Sequence, residues 1–376
     1  MPDPESILSA DPRASWAAHA IGVSEAIERV LRSGKYILGP EVEAFEREWA
    51  AYVGCAFSIG VASGTDALEL ALRAAGISAG DVVVTAANTV TATAAAIERT
   101  GASLALADID PASFTLSPAA LAEWLDAPDA PEVRAVVPVH LYGQPANMPA
   151  LCALARVHGF KLIEDAAQAH GARVAGRRVG DWGAAGAFSF YPTKNLGAIG
   201  DGGAVVTSDP DFATRVRSLR QYGWKDRYVA SEPGFNSRLD ELQAAILRVK
   251  LGSLDTETGR RRAIAARYRR ALSGLPDLVL PTELAGSEMV WHQFVVRHPE
   301  RAALQRHLES RRVLAGVLYP TPIHLQPAYR DRVMMPPNGL EEAERACREV
   351  LSLPVHPQLG DDDMERVIEA VRTFAG

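Results

Sequence analysis

Between Ala50 and Ser208, short apolar runs alternate with segments whose apolar residues recur at helical spacing. No other feature of the 376-residue chain limits its fold as much. The strand-like runs are Asp81–Ala86, Ser103–Ala107, Ala135–Val139, Lys161–Glu164, Ala185–Phe190 and Ala204–Thr207. The helix-like segments are Thr65–Ala75, Thr91–Arg99, Pro118–Leu125 and Met148–His158. Strand and helix in turn predict an α/β fold of three layers, α/β/α, with a central mostly parallel sheet covered on both faces. Gly76, Gly101 and Gly159 fall just past helix ends, where a left-handed cap is expected.

After Ser208 the pattern changes. Residues 210–222 look helical, and Arg238 to about Leu272 reads as one long helix or two consecutive ones. The arginines 260, 261, 262, 269 and 270 in that stretch fit a solvated helical face. Trp291–Val296 reads as a strand, Arg301–Ser310 as a helix, 320–337 as Pro-rich loops and Asp362–Phe374 as a terminal helix. The expected division is a large domain over 1–250 and a smaller C-terminal α/β domain over 251–376, a length that suits more than one core.

Composition removes several function classes. The net charge of −7 argues against a nucleic-acid surface. The three cysteines lie far apart with no CxxC pair, and the nine histidines show no HExxH spacing, so neither a disulfide scaffold nor a metal site is expected. The opening MPDPESILSADPR is acidic and polar, unlike a signal peptide, and no run approaches the ~18 apolar residues that span a bilayer. A cytoplasmic protein is the expectation.

The segment Phe188–Val205, FSFYPTKNLGAIGDGGAV, carries the strongest chemical signal. Lys194 is the only charged residue between Asp181 and Asp201, in a chain with five lysines against 34 arginines. An ammonium with few charged neighbours, if desolvated, loses its proton more easily and becomes a usable amine nucleophile, as Schiff-base chemistry requires. A solvated loop lysine is the alternative. In GVASGTDALEL, Ser63, Gly64 and Thr65 precede a helix with Ser63 or Asp66 as N-cap, which makes either an anion site or an ordinary capped helix. The segment lacks GxSxG spacing and no GK[ST] follows, so it is neither a nucleophile elbow nor a P-loop.

In KLIEDAAQAHG, Asp165 ends an apolar strand, on the edge of an open α/β sheet that faces the ligand crevice. There it could hold a pyridinium nitrogen protonated, or merely cap the turn. Gln168 and His170 could add hydrogen bonds or line the loop. The glycines of GAIGDGGAV run into a strand rather than opening a helix, so they are turns behind the lysine and not a dinucleotide fingerprint.

Together, SGTDAL, EDAAQAHG, FSFYPTKNLGAIGDGGAV and GFNSRLDELQAAIL resemble the nucleotide-sugar aminotransferases of the DegT/StrS type, pyridoxal 5'-phosphate (PLP) enzymes of the aspartate-aminotransferase fold (fold-type I). The likeness runs from GKYILGPEVEAFE to YPTPIHLQPAY. It implies that Lys194 forms the imine with PLP and then shuttles the proton, that Asp165 holds the pyridinium N–H and that Gln168 sits by the ring oxygen. Ser63, Gly64, Thr65 and Ser189 fall at the phosphate. Asn236 would reach that phosphate from a partner subunit, which implies a homodimer with its sites at the interface. One position departs from the pattern: Val90 stands where the family usually places an aromatic ring over the cofactor.

The same resemblance implies amino transfer from L-glutamate to a nucleotide-linked keto sugar. NLGAIGDGGAV, VHLYGQ and RQYGWKDRY look more like enzymes acting on dTDP-3-keto-6-deoxyhexoses than on 4-keto sugars. Tyr36, Tyr191, Arg227, His324 and Gln326 are candidates for the sugar-nucleotide pocket. A keto-cyclitol aminotransferase and a non-catalytic PLP-binding regulatory protein are the alternatives.

Overall fold

The computed structural model describes residues 6–375; the first five residues of the acidic N-terminal stretch lie outside them. Seven strands form the central sheet: β1 (Phe57–Val61), β2 (Val82–Ala86), β3 (Ser103–Ala107), β4 (Val133–Val137), β5 (Lys161–Asp165), β6 (Ala185–Ser189) and β7 (Gly203–Thr207). Their spatial order is β1-β7-β6-β5-β4-β2-β3. Only β7 runs antiparallel to its neighbours. The runs VVVTA, SLALA and VRAVV are almost wholly buried, as strands covered on both faces must be.

The chain passes from β2 outward to β3 and then returns to β4 on the other side of β2. That reversal opens a crevice at the carboxyl ends of β2 and β4, where ligands bind in open α/β sheets. Register aligns further pieces along the same edge: Asp165 pairs with Ala187, while Gly203 pairs with both Ser189 and Val61. The helix Gly64–Ala74 begins three residues after β1 and buries Ala67, Leu68, Leu70, Ala71 and Leu72. Gly76, Gly101 and Gly159 have φ of +86°, +90° and +79°, the expected left-handed caps.

Beyond the sheet, β8 (Phe294–Arg297) and β9 (Val350–Leu353) pair antiparallel. They lie among the helices Leu254–Leu272, Arg301–Ser310, Glu341–Glu349 and Asp361–Ala375. The start of the described chain joins this part, since Ile7–Leu8 pair in parallel with Val313–Leu314.

Three expectations need correction, and one open reading is decided. The strand expected from Ala135 lies two residues earlier, at Val133–Val137. The open reading is the stretch after Arg238, which is two consecutive helices rather than one, Glu241–Leu251 and Leu254–Leu272, parted at Gly252–Ser253. The strand expected from Trp291 starts only at Phe294, because Trp291 has φ +48° and its neighbours bond elsewhere. Val290 N–H donates to the Gly143 carbonyl (3.1 Å) and Gln293 N–H to that of Tyr142 (3.2 Å).

Arg261 is the third correction. It is buried rather than solvated, donating to the carbonyls of Val355 (2.6 Å) and Trp291 (3.3 Å). Burial lowers its pKa to about 10, against the opposing pull of Glu257.

Candidate active site

An anion cup forms where β1 ends. Ser63 is the N-cap of the helix Gly64–Ala74: its Oγ accepts from Asp66 N–H (3.1 Å), which leaves the N–H groups of Gly64 and Thr65 without a partner among the described residues. A Cβ on Gly64 would lie 2.5 Å from Ser189 Cβ and 3.1 Å from its Oγ. One on Gly203 would lie 2.3 Å from the Ser63 carbonyl oxygen. Two glycines therefore let the helix start press against the ends of β6 and β7, bringing free N–H groups and the Ser189 hydroxyl to one point. A helix start with unpaired N–H groups favours an anion.

Lys194 sits on a turn that leaves β6, its N–H bonded to the Tyr191 carbonyl (2.8 Å). The turn is clamped from three directions. Gly197 folds so close to Pro192 that a Cβ would lie 2.5 Å from the Pro192 carbonyl oxygen, and Lys250 Nζ donates to the Gly197 carbonyl (2.8 Å). Next to the lysine, the Asn195 amide donates to the Val290 carbonyl (3.0 Å), so its Oδ1 accepts from His292 Nδ1 (3.1 Å). Burial lowers the Lys194 pKa to about 8, with Asp165 pulling the other way. An amine so tuned is largely neutral in mildly alkaline solution and available to a carbonyl carbon.

Asp165 ends β5 with only 3% of its surface exposed. Its Oδ2 accepts from Thr93 Oγ1 (2.9 Å) and its Oδ1 from Ala167 N–H (3.1 Å), while Thr89 and Thr93 hydroxyls lie 3.0 Å apart. Burial raises its pKa; the Thr93 hydroxyl, the Ala167 N–H and the Lys194 ammonium oppose that rise. A buried carboxylate with two neutral donors has room for a cationic one. His170, two residues past Gln168, packs among Trp49, Phe188 and Phe190 and donates from Nε2 to the Ser189 carbonyl (2.9 Å). Burial lowers its pKa to about 3, so it stays neutral. Gln168 itself accepts at Oε1 from Tyr142 N–H (2.7 Å) and donates from Nε2 to the Tyr319 hydroxyl (3.0 Å).

Comparison with known proteins gives this geometry a family. Residues 22–372 match the DegT/DnrJ/EryC1/StrS aminotransferase family. The chain belongs to it. A dTDP-3-amino-3,4,6-trideoxy-alpha-D-glucose transaminase of Streptomyces venezuelae is 48% identical over 97% of this chain and 95% of its own length. The erythromycin biosynthesis sensory transduction protein EryC1 of Saccharopolyspora erythraea is 47% identical over 97% and 98%. The crystal structure of S. venezuelae DesV in complex with a ketimine intermediate superposes with a TM-score of 0.94 at 46% identity, covering 100% of this chain and 99% of that one.

PLP, the cofactor of these aminotransferases, fits the residues present. The cup offers donors to a phosphate without a Cβ in the way, Lys194 is a desolvated amine, and Asp165 is a buried carboxylate open to a pyridinium N–H. Val90, half-buried, is the N-cap of the helix Thr91–Arg99, whose first turn carries Thr93 to Asp165.

The candidates for a sugar-nucleotide pocket are dispersed. Tyr191 is exposed on the lysine's own turn. Gln326 accepts from Thr91 Oγ1 (3.4 Å), beside Val90. His324 is buried and paired with Glu344 (3.1 Å). The Tyr36 hydroxyl donates to the Leu31 carbonyl (3.2 Å) and the Arg227 guanidinium to the Tyr228 hydroxyl (3.0 Å), both on exposed residues. Asn236 is exposed too, next to Ser237, whose hydroxyl donates to Asp66 Oδ2 (2.7 Å) in the first turn of the cup's helix.

Thr93, Asn195, His292, Tyr142 and Tyr319 were not anticipated. Asn195 had a signal, being next to the lysine. The others are brought in by separations of 26 to 151 residues along the chain.

Proposed function

We propose that this chain transfers the amino group of L-glutamate to the keto carbon of a dTDP-linked 3-keto-6-deoxyhexose, yielding a dTDP-3-amino-3,6-dideoxyhexose, with PLP as cofactor. The observation that carries the proposal is the meeting of three groups on one sheet edge: the Lys194 amine, the buried Asp165 carboxylate and the cup of Ser63, Gly64, Thr65 and Ser189. The high identity to a transaminase of a dTDP-3-amino sugar supports the substrate class.

In this reading, the Gly64 and Thr65 N–H groups and the Ser189 hydroxyl bind the cofactor's phosphate, and Asp165 keeps its ring nitrogen protonated. Bound there, PLP supplies an electron sink for the pair left when a Cα–H bond breaks. Lys194 would hold the cofactor through its Nζ and, with that Nζ freed by the donor's amine, would take the Cα proton. It returns a proton at the sugar carbon in the second half of the cycle. Gln168 would hold the cofactor's ring oxygen, and Val90 would contact its ring. Tyr191, on the lysine's turn, and Gln326, bonded to Thr91 beside Val90, are candidates to meet the sugar, with Tyr36, Arg227 and His324 as further candidates. We also propose a homodimer in which the exposed Asn236 reaches the partner's phosphate, a division into large and small domains near residue 250, and a cytoplasmic location.

The test adds L-glutamate to purified yellow protein and follows the visible band, then adds the keto sugar nucleotide and identifies the product by mass. Loss of the band and its return with a 3-amino sugar supports the proposal. Turnover only with a 4-keto sugar or a keto-cyclitol corrects the substrate. No response of the band to glutamate or glutamine favours a regulatory PLP-binding protein, a reading prompted by the sensory transduction name of one close relative. If Lys194→Ala retained the same covalent adduct, the central assignment would be wrong.

A further inference from the structure

The loop before the Pro-rich stretch brings a phenol into the centre of the site. Tyr142 is fully buried, with φ +60° on the turn that follows β4, and its backbone N–H donates to Gln168 Oε1 (2.7 Å). A backbone N–H can only donate, so the orientation of the Gln168 amide is fixed: oxygen toward Tyr142, NH₂ toward Tyr319. The Tyr319 hydroxyl therefore accepts from Gln168 Nε2 (3.0 Å). The Tyr142 hydroxyl in turn donates to the carbonyl of Leu318, the residue before Tyr319. The three side chains close a ring that ties the ends of β4 and β5 to the 316–322 loop.

Two donors are left over. One is the second N–H of the Gln168 amide. The other is the Tyr319 O–H, which no acceptor among the described residues takes up. Burial raises the Tyr319 pKa to about 12, with Asp165 adding to the rise, so the phenol keeps its proton throughout the working range. Gln168 is buried and Tyr319 partly so, and a donor left unpaired away from water is costly, so both donors call for an acceptor in the crevice.

We propose that Tyr319 is a positioning residue: with Tyr142 it locks the Gln168 amide as a hydrogen-bond donor to the cofactor's ring oxygen, and so sets how tightly the link between Lys194 and the cofactor holds its proton. The inference rests on the function proposed above. A donor held against an anionic oxygen stabilises the charge there and weakens the hold on the proton beside it. Releasing the amide tightens that hold. The titratable groups that sense Lys194 include Asp165, His170 and His292, and none of them bonds to Tyr319 or Tyr142.

The experiment titrates the visible band of the PLP-bound holoenzyme with pH in the wild type, Tyr319→Phe and Tyr142→Phe. Tyr319→Phe should raise the titration midpoint by about one unit, about tenfold tighter proton binding. Tyr142→Phe keeps the backbone bond and should move the midpoint the same way, by about threefold in proton affinity. A Tyr319→Phe enzyme that binds PLP and titrates at the wild-type midpoint overturns the proposal. If Tyr319→Phe does not fold, by its melting curve, an unmoved midpoint in Tyr142→Phe overturns it. The underlying function fails separately: a wild-type band that does not titrate, or one that survives Lys194→Ala, counts against the cofactor assignment itself.

Discussion

Gly64→Ala tests the anion cup most directly. The added Cβ would lie 2.5 Å from Ser189 Cβ and 3.1 Å from both its Cα and its Oγ. Carbon atoms in contact sit roughly 3.5–4.0 Å apart, so about 1 Å of movement is needed. Ser189 cannot supply it, because it is held in register opposite Gly203 and its carbonyl is bonded to His170. The helix start must move instead, away from the space a phosphate would fill. An N–H donor about 2.9 Å from a phosphate oxygen would then stand near 3.9 Å, outside hydrogen-bond range.

Losing one charge-assisted bond costs about 1.5–3 kcal/mol, and about 1.4 kcal/mol is a factor of ten. The apparent dissociation constant for PLP, from absorbance titration of the apoprotein, should rise about 10- to 100-fold. The covalent contribution of Lys194 is common to both proteins and cancels in the ratio. Gly259→Ala is the control: no heavy atom lies within 4 Å of its would-be Cβ, and it sits inside the helix Leu254–Leu272. It should leave PLP affinity unchanged and add up to about 1 kcal/mol of stability through helix propensity. A Gly64→Ala protein that binds PLP within twofold of wild type refutes the cup, and the phosphate must then be sought elsewhere.

Three further outcomes are expected. Thr93→Val removes the neutral donor to Asp165 Oδ2, so the carboxyl pKa should rise further and kcat fall about 5- to 30-fold, from about 1–2 kcal/mol of lost support, with little change in the melting temperature; unchanged kcat across the pH profile would show that Asp165 does not depend on this bond. The rate at which the apoprotein takes up PLP covalently should climb with pH through a midpoint near pH 8 and level off above it, because the depressed Lys194 pKa leaves its amine mostly protonated below that value and mostly neutral above it; a rate still climbing toward pH 10 would mean the lysine is solvated. Arg261→Met leaves the buried carbonyls of Trp291 and Val355 without their donor, and urea titration should find a loss of about 2–4 kcal/mol; a loss under 0.5 kcal/mol, roughly the size of a surface effect, would mean that water replaces the guanidinium.

How much of this was legible in the chain depends on the range of the interactions. The parallel strands announced themselves because a strand buried on both faces must be nearly continuous in apolar residues, and VVVTA and SLALA each hold four of them in five. β1 was passed over, since FSIGV carries Ser58 and Gly60, and Gly60 is there for packing: a Cβ would lie 2.9 Å from that of Leu239. Lys194, Asp165 and the Ser63–Thr65 start were legible because each sits at the end of its own element, where local sequence marks the boundary.

Arg261 shows a signal that was present and outvoted. Leu254, Thr258, Arg261, Ala265, Tyr268 and Leu272 are all buried and follow one another at intervals of three or four, so position 261 lies on the inward stripe of its helix. Charge alone argued for solvent, and two backbone carbonyls decided otherwise. Tyr319 is the opposite case. Nothing in YPTPIHLQPAY marks its hydroxyl for Gln168, 151 residues away. The bond exists because the end of β4 turns back through a left-handed Tyr142 whose N–H and O–H hold both partners at once. A periodic pattern can indicate which face of an element is buried, but a donor left over after such a ring closes can be found only by accounting for every proton within it.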